Sequence, residues 1–251
     1  MLVALLPFVL AAPKSLPKRG IDTSKHCGDE DRIDIEQYAL YINASGKNQD
    51  REGKGCGQVQ SLDGTKTTWE IDWRADGSVK AFTYLGLSKG LNKQLNSIKD
   101  IQATWHYEYK DGDSGQQGHK KDTFVTIPWI LTTASVPGGA IANEIRIYLS
   151  NIFMYLSLGH PLLRTSRLVP TTPIGKNLYQ GQKEDGSVVF SFVTNVASSD
   201  YDYTLRTEFD GDLNWFLKYL FNNQGLAGDQ YLTALEASSE ASWWFCYPEN
   251  N

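Results

Sequence analysis

From Glu144 to Leu149 the chain changes character at every residue. On a β-strand, side chains two residues apart share a face. Glu144, Arg146 and Tyr148 then point one way, and Ile145, Ile147 and Leu149 the other. The pattern predicts a half-buried strand with an acid on its open face. Similar segments recur from about residue 33 onward. Residues 38–42 read as a strand. Residues 67–73 alternate cleanly and end at the turn Ala75-Asp76-Gly77, with 79–84 as the expected hairpin partner. Residues 103–110 alternate again and break at Asp111-Gly112-Asp113. Residues 123–131 are apolar but contain Pro128, which favours an edge or a bulge. Further strands are expected at 176–179, 188–195 and 201–204.

One strong helix is expected, over 212–223. Leu213, Phe216, Leu217, Leu220 and Phe221 form a stripe at helical spacing that suits packing on a sheet. Asp210 or Asp212 is placed to cap its start and Gly225 to end it. Many strands with turn signals and one late helix predict an all-β chain: an antiparallel sandwich with the helix on its convex back. With 251 residues, no internal repeat and no long linker, one large domain is expected.

The start of the chain predicts processing. Residues 1–12 are apolar and end in small residues, as in a signal peptide, and are too short to span a bilayer. Residues 13–26 read as a propeptide or linker, in which Lys18-Arg19 is a candidate processing site. Residues 27–251 read as the folded domain. A secreted, extracellular, monomeric protein is expected, with no membrane partner. Net charge is −5, with no basic run beyond Lys14–Arg19, which argues against nucleic acid. Cys27 and Cys56, both in the early strand region, are favoured as a disulfide, leaving Cys246 over. Asn43-Ala44-Ser45 is a glycosylation sequon. The four histidines are scattered without ligand spacing, so no metal or other cofactor is expected.

Chemistry centres on two carboxylates. Glu144 sits on the alternating strand, and Glu240 follows the helix near the end of the stretch 225–240. Two facing carboxylates on a β-scaffold are the minimum equipment for cutting a glycosidic bond. Glu236 is a weaker competitor on the same stretch. Arg146, on the face of Glu144, favours the ionised form of that acid. Aromatic residues make up 12% of the chain, a content that suits flat platforms for sugar rings as well as a large core.

Taken in order, several blocks resemble glycoside hydrolase family 12, secreted endo-β-1,4-glucanases and xyloglucan-specific endoglucanases. They are Cys27-Gly28 with Cys56; Trp69 with Val79-Lys80; the Glu144 strand; Gly211-Asp212-Leu213 through Tyr219-Leu220; Asn223-Gln224-Gly225-Leu226; and Gln230-Tyr231-Leu232. The resemblance runs from about Cys27 to Ser242, with a break at 152–170, where an apolar run of no clear period begins. It implies a β-jelly roll of two curved antiparallel sheets whose concave face holds a glucan chain. It implies retaining cleavage, with Glu144 as nucleophile and Glu240 as acid/base, and a disulfide between Cys27 and Cys56. The partner it implies is plant cell-wall β-glucan, with xyloglucan or another soluble glucan ahead of crystalline cellulose.

The chain also departs from that pattern. Asp29-Glu30-Asp31 stands where the family carries a Trp, and Asn43-Ala44-Ser45-Gly46 stands for an Asn-Leu-Trp-Gly stretch. Each lost stacking ring removes about 0.5–1.5 kcal/mol beyond area burial. Trp73, Trp129, Tyr41 and Tyr148 are the candidate substitutes for binding substrate. A supporting Asp is expected near the nucleophile, at a place occupied here by Pro128 or Trp129. Two function classes follow: a glucanase, or a catalytically impaired binding or decoy protein that keeps the surface without the turnover.

Overall fold

The computed structural model describes residues 20–45, 54–74, 80–108, 123–152, 165–169, 176–194 and 208–243. The expected signal peptide, the 201–204 strand, the sequon's Gly46 neighbour and Cys246 lie outside them. The strands run β1 (Arg32–Ile35), β2 (Tyr38–Ser45), β3 (Lys54–Asp63), β4 (Lys66–Arg74), β5 (Lys80–Leu87), β6 (Lys93–Gln94), β7 (Gln102–His106), β8 (Thr123–Ala134), β9 (Ile141–Ile152), β10 (Thr165–Val169), β11 (Lys176–Gln182), β12 (Val188–Thr194), β13 (Glu208–Asp212) and β14 (Tyr231–Trp243). The helix α1 is Asn214–Asn223.

One sheet dominates, in the order β1-β2-β5-β14-β8-β9-β12-β11-β10, with β6 beside β14. Its pairs are antiparallel except β9 with β12, which run parallel. Two antiparallel pairs, the β3–β4 hairpin and the long-range pair β7–β13, form the second layer. This is a β-jelly roll, with one α-helix among the described residues.

The alternation decides which face is covered. Leu40 and Ile42 of β2, with Leu85 of β5, pack against Val59 of β3 and Trp69 of β4. Leu131, Ile145, Ile147, Phe190 and Phe192 meet Leu213, Phe216, Leu217 and Leu220 from the helix. Phe192 and Phe216 contact edge to face at 4.9 Å between centroids. Trp105 of β7 and Phe209 of β13 seal the region between. The helix therefore covers the back of the sheet, away from Glu144.

The helix is held at both ends by backbone chemistry. Asp212 Oδ1 accepts from the amides of Asn214 (2.9 Å) and Ile101 (2.7 Å). Gly225 takes a left-handed φ of 72°, and the Leu226 amide returns to the Leu220 carbonyl. That is the helix stop that glycine favours.

One expectation about pairing needs correction. β4 pairs with β3, not with the 79–84 strand; β5 instead joins β2 and β14 in the large sheet. Of the two places expected for Pro128, an edge or a bulge, the chain uses the bulge, since β8 lies between β14 and β9. The register shifts between Ile127 and Pro128, so the missing amide falls at a bulge.

Cys27 and Cys56 form the disulfide. The segment before Cys27 is not a free linker where it is described. His26 bridges to Gly57, Gln58 donates to the Thr23 carbonyl, and Lys25 pairs with Asp72. Gly57 leaves no room for more: a Cβ there would stand 2.9 Å from Ile42.

Leu217 is fully buried between helix and sheet. Leu217→Ala is expected to lower the unfolding free energy by about 2–5 kcal/mol, read from the urea midpoint.

Candidate active site

β9 carries Glu144, Arg146 and Tyr148 on the face opposite its core residues Ile145, Ile147 and Leu149. Glu144 pairs with Thr132 of β8 and Val189 of β12. The parallel β9–β12 pairing has a consequence for charge. It brings the turn between β11 and β12 beside Glu144, and Lys183 on that turn reaches the carboxylate.

Glu144 is only 5% exposed although it lies on the open face. Arg146 Nε donates to Oε1, and Lys183 Nζ donates to Oε2, so a cation engages each oxygen. Both are ion pairs. Burial alone pushes a carboxyl pKa up. Here the charges of Arg146 and Lys183 and their hydrogen bonds outweigh burial, and the pKa lies below the ordinary glutamate value. Arg146 also donates to the Tyr148 hydroxyl at 3.3 Å. Beneath this layer, Asn143 Nδ2 donates to Thr133 Oγ1 and Gln230 Oε1, at 3.0 and 2.7 Å. This buried amide network ties β9 and β8 to the start of β14.

Both candidates for a second acid, Glu236 and Glu240, lie on β14. Thr132, opposite Glu144, pairs on its other side with Ala234, and Ile130, opposite Arg146, pairs with Glu236. Glu236 therefore stands two strands across from Glu144, about 10 Å, and one residue pair along, about 7 Å. Glu240 pairs with Phe82 and Thr126. It is six residues beyond Ala234 (240 − 234), about 20 Å of strand. The register thus draws Glu236, rather than Glu240, towards Glu144. The side chains of Glu240 and Trp73 lie outside the described residues.

The aromatic candidates divide. Tyr41 of β2 and Tyr84 of β5 stack at 4.6 Å on the open face. Arg32, on the strand to the other side, lies over the Tyr41 ring at 5.2 Å. Both faces of Tyr41 are thereby covered, leaving its edge and hydroxyl to meet a ligand. Tyr148 is on the open face but is 7% exposed. Trp129 is a correction. It pairs with the core residue Ile147 and packs edge-on against Trp105 at 5.2 Å and Phe209 at 6.1 Å. It faces the core and cannot stack on a sugar held beside Glu144.

Lys183 and Tyr84 are the site residues that sequence reasoning missed. Lys183 is 39 positions from Glu144 and reaches it only through the parallel pairing. Tyr84 was read as the end of a hairpin strand. Burial, with the charge of Glu236 and of Tyr41, pushes its hydroxyl up to about 12, so it remains a donor at neutral pH. Among the described residues no group of three or more His, Cys, Asp or Glu is placed to hold a metal ion.

No protein-family model matches the chain. Individual relatives do. A xyloglucan-specific endo-β-1,4-glucanase 1 from Phytophthora sojae is 32% identical over 223 residues, covering 86% of this chain and 83% of that protein. A xyloglucan-specific endo-β-1,4-glucanase A from Emericella nidulans is 29% identical over 246 residues, covering 95% and 91%. Among solved structures, Trichoderma harzianum endoglucanase 3 from family GH12 superposes with a TM-score of 0.67 at 21% identity, covering 92% and 96%. A family 12 xyloglucanase from Bacillus licheniformis gives 0.62 at 15% identity, covering 87% and 95%. These structures share the fold.

The depressed pKa of Glu144 fixes the sign of a pH effect. A folded pKa below the unfolded one stabilises the fold where the group is ionised. The contribution is present above the unfolded value near 4.5 and is lost as pH falls through the lower folded value. The stability gap between the wild type and Arg146→Met is therefore expected to be full above about pH 5 and to shrink on acidification. Urea titrations at several pH values check it.

Proposed function

The chain belongs to glycoside hydrolase family 12, and from that premise we propose that it is a secreted endo-β-1,4-glucanase that cleaves soluble β-glucan with retention, xyloglucan first. The observation that carries this reading is the buried, ionised Glu144 held on the open face of the large sheet. The names of the curated relatives support the substrate.

In this reading Glu144 attacks the anomeric carbon while an acid protonates the leaving oxygen. The same acid, now a base, deprotonates the water that releases the glycosyl-enzyme. Retention asks for carboxyl groups about 5–5.5 Å apart. The nucleophile must be ionised and the acid protonated, so their surroundings must differ. Two cations beside Glu144 supply one half of that contrast. Glu240 is the proposed acid/base, from its place in the ordered family resemblance. A second reading gives that role to Glu236, and the β14 register favours it.

Reducing-end release on xyloglucan, barley β-glucan and carboxymethyl cellulose tests the activity. Turnover is expected first on xyloglucan, and Glu144→Gln is expected to lower it by on the order of 10⁴-fold or more. Folded protein that binds xyloglucan without cutting any of the three glucans would support the impaired binding reading instead. The acid is assigned by a different comparison. Glu240→Gln is expected to lose xyloglucan turnover yet still cleave an aryl glycoside whose leaving group needs no proton, with added azide raising the rate. The same signature in Glu236→Gln would move the role to Glu236.

A further inference from the structure

Lys183 and Arg146 engage both oxygens of a carboxylate that is 5% exposed. The charge count at this cluster is −1 for Glu144 and +1 for each cation, a sum of +1. Attack forms the Oε–C1 bond and breaks the bond from C1 to the leaving oxygen, which departs with the acid's proton or as an anion. Glu144 then becomes a neutral ester, and the cluster rises to +2. The two cations lose the charge they are paired with at the moment the glycosyl-enzyme forms. They stabilise the free carboxylate more than the transition state, and only the difference between those states sets the rate. An oxygen must also be released before it can attack.

The two cations are not equivalent. Arg146 lies two residues along the same strand, in the sheet, and also donates to Tyr148. Lys183 is carried by a turn closed by its own amide to the Ser187 carbonyl, and its side chain is 25% exposed. Lys183 lies outside the blocks that resemble the family, whereas Arg146 is on the Glu144 strand. Among the described residues, these two cations hold the Glu144 carboxylate. We propose that Lys183 is a positioning residue that restrains the nucleophile, holding Glu144 ionised while making its attack slower than Arg146 alone would. This rests on Glu144 being the nucleophile.

Of the remaining titratable groups, Tyr148 shares the β9 face, Asp185 lies on the Lys183 turn, and Glu236 is on the same sheet face of β14. Asp185 is held by the Ser187 hydroxyl and amide at 2.7 and 2.9 Å. Without Lys183, burial is opposed by Arg146 alone, so Glu144 should protonate at higher pH.

The test isolates the first step. A 2-deoxy-2-fluoro cello-oligosaccharide with a dinitrophenolate leaving group traps the glycosyl-enzyme without help from the acid. Its rate is followed by dinitrophenolate release, and the labelled peptide is mapped by mass spectrometry. Label on Glu144, with Lys183→Met trapping about fivefold faster at neutral pH, upholds the proposal. Its acid limb should also move to higher pH, and Lys183→Arg should behave as wild type. Label on Glu144 with Lys183→Met equal or slower overturns the proposal and leaves the nucleophile assignment standing. Label elsewhere, or none on folded protein, removes the Glu144 assignment and the proposal with it.

Discussion

β9 is paired antiparallel with β8 and parallel with β12, and the position of every group around Glu144 depends on that. The antiparallel side sets which residues of β8 and β14 share its row. The parallel side places the β11–β12 turn next to it. A one-residue slip of β9 would turn Glu144 into the core and Ile145 out to solvent. Ile145, Ile147, Phe190 and Phe192 against the helix make such a slip costly. The amide network of Asn143, Thr133 and Gln230 adds a polar lock at the end of the same strands. The fold thus fixes the orientation of the carboxylate from behind, with the open face left for charge and ligand.

The charge arrangement at that face is lopsided. Glu144 sits between two cations, while Glu236 sits beside the Tyr41–Tyr84 pair, in which the half-buried Tyr84 hydroxyl stays protonated. A retaining glycosidase needs such an asymmetry between its acids. In this chain it arises from Arg146 and Lys183. The β8 place expected for a supporting acid is occupied by Pro128 or Trp129, and Trp129 packs in the core with Trp105 and Phe209.

Local patterns were legible in the sequence. The alternation at β2, β4 and β9 and the helical stripe from Leu213 to Phe221 each stand where the pattern placed them. So did the Cys27–Cys56 bridge. Long-range choices were not. The strand at 79–84 alternates well enough to suit either β4 or the large sheet, and burial of Leu85 against β2 decided for the sheet. Trp129 was misread because a ring beside a proline bulge can face either way, and the Ile147 row turns it inward. Lys183 carried no local signal, since only the parallel pairing makes it a neighbour of Glu144. Glu236 and Glu240 share one strand, and sequence order cannot weigh the register that separates them.

The stereochemistry of cleavage tests the central claim most directly. The anomeric configuration of the first product from a xyloglucan oligosaccharide can be followed by proton NMR before mutarotation. A carboxylate nucleophile at Glu144 predicts the β-anomer first, with the α-anomer growing in later. The α-anomer appearing first would mean direct attack by water, and would contradict a glycosyl-enzyme on Glu144.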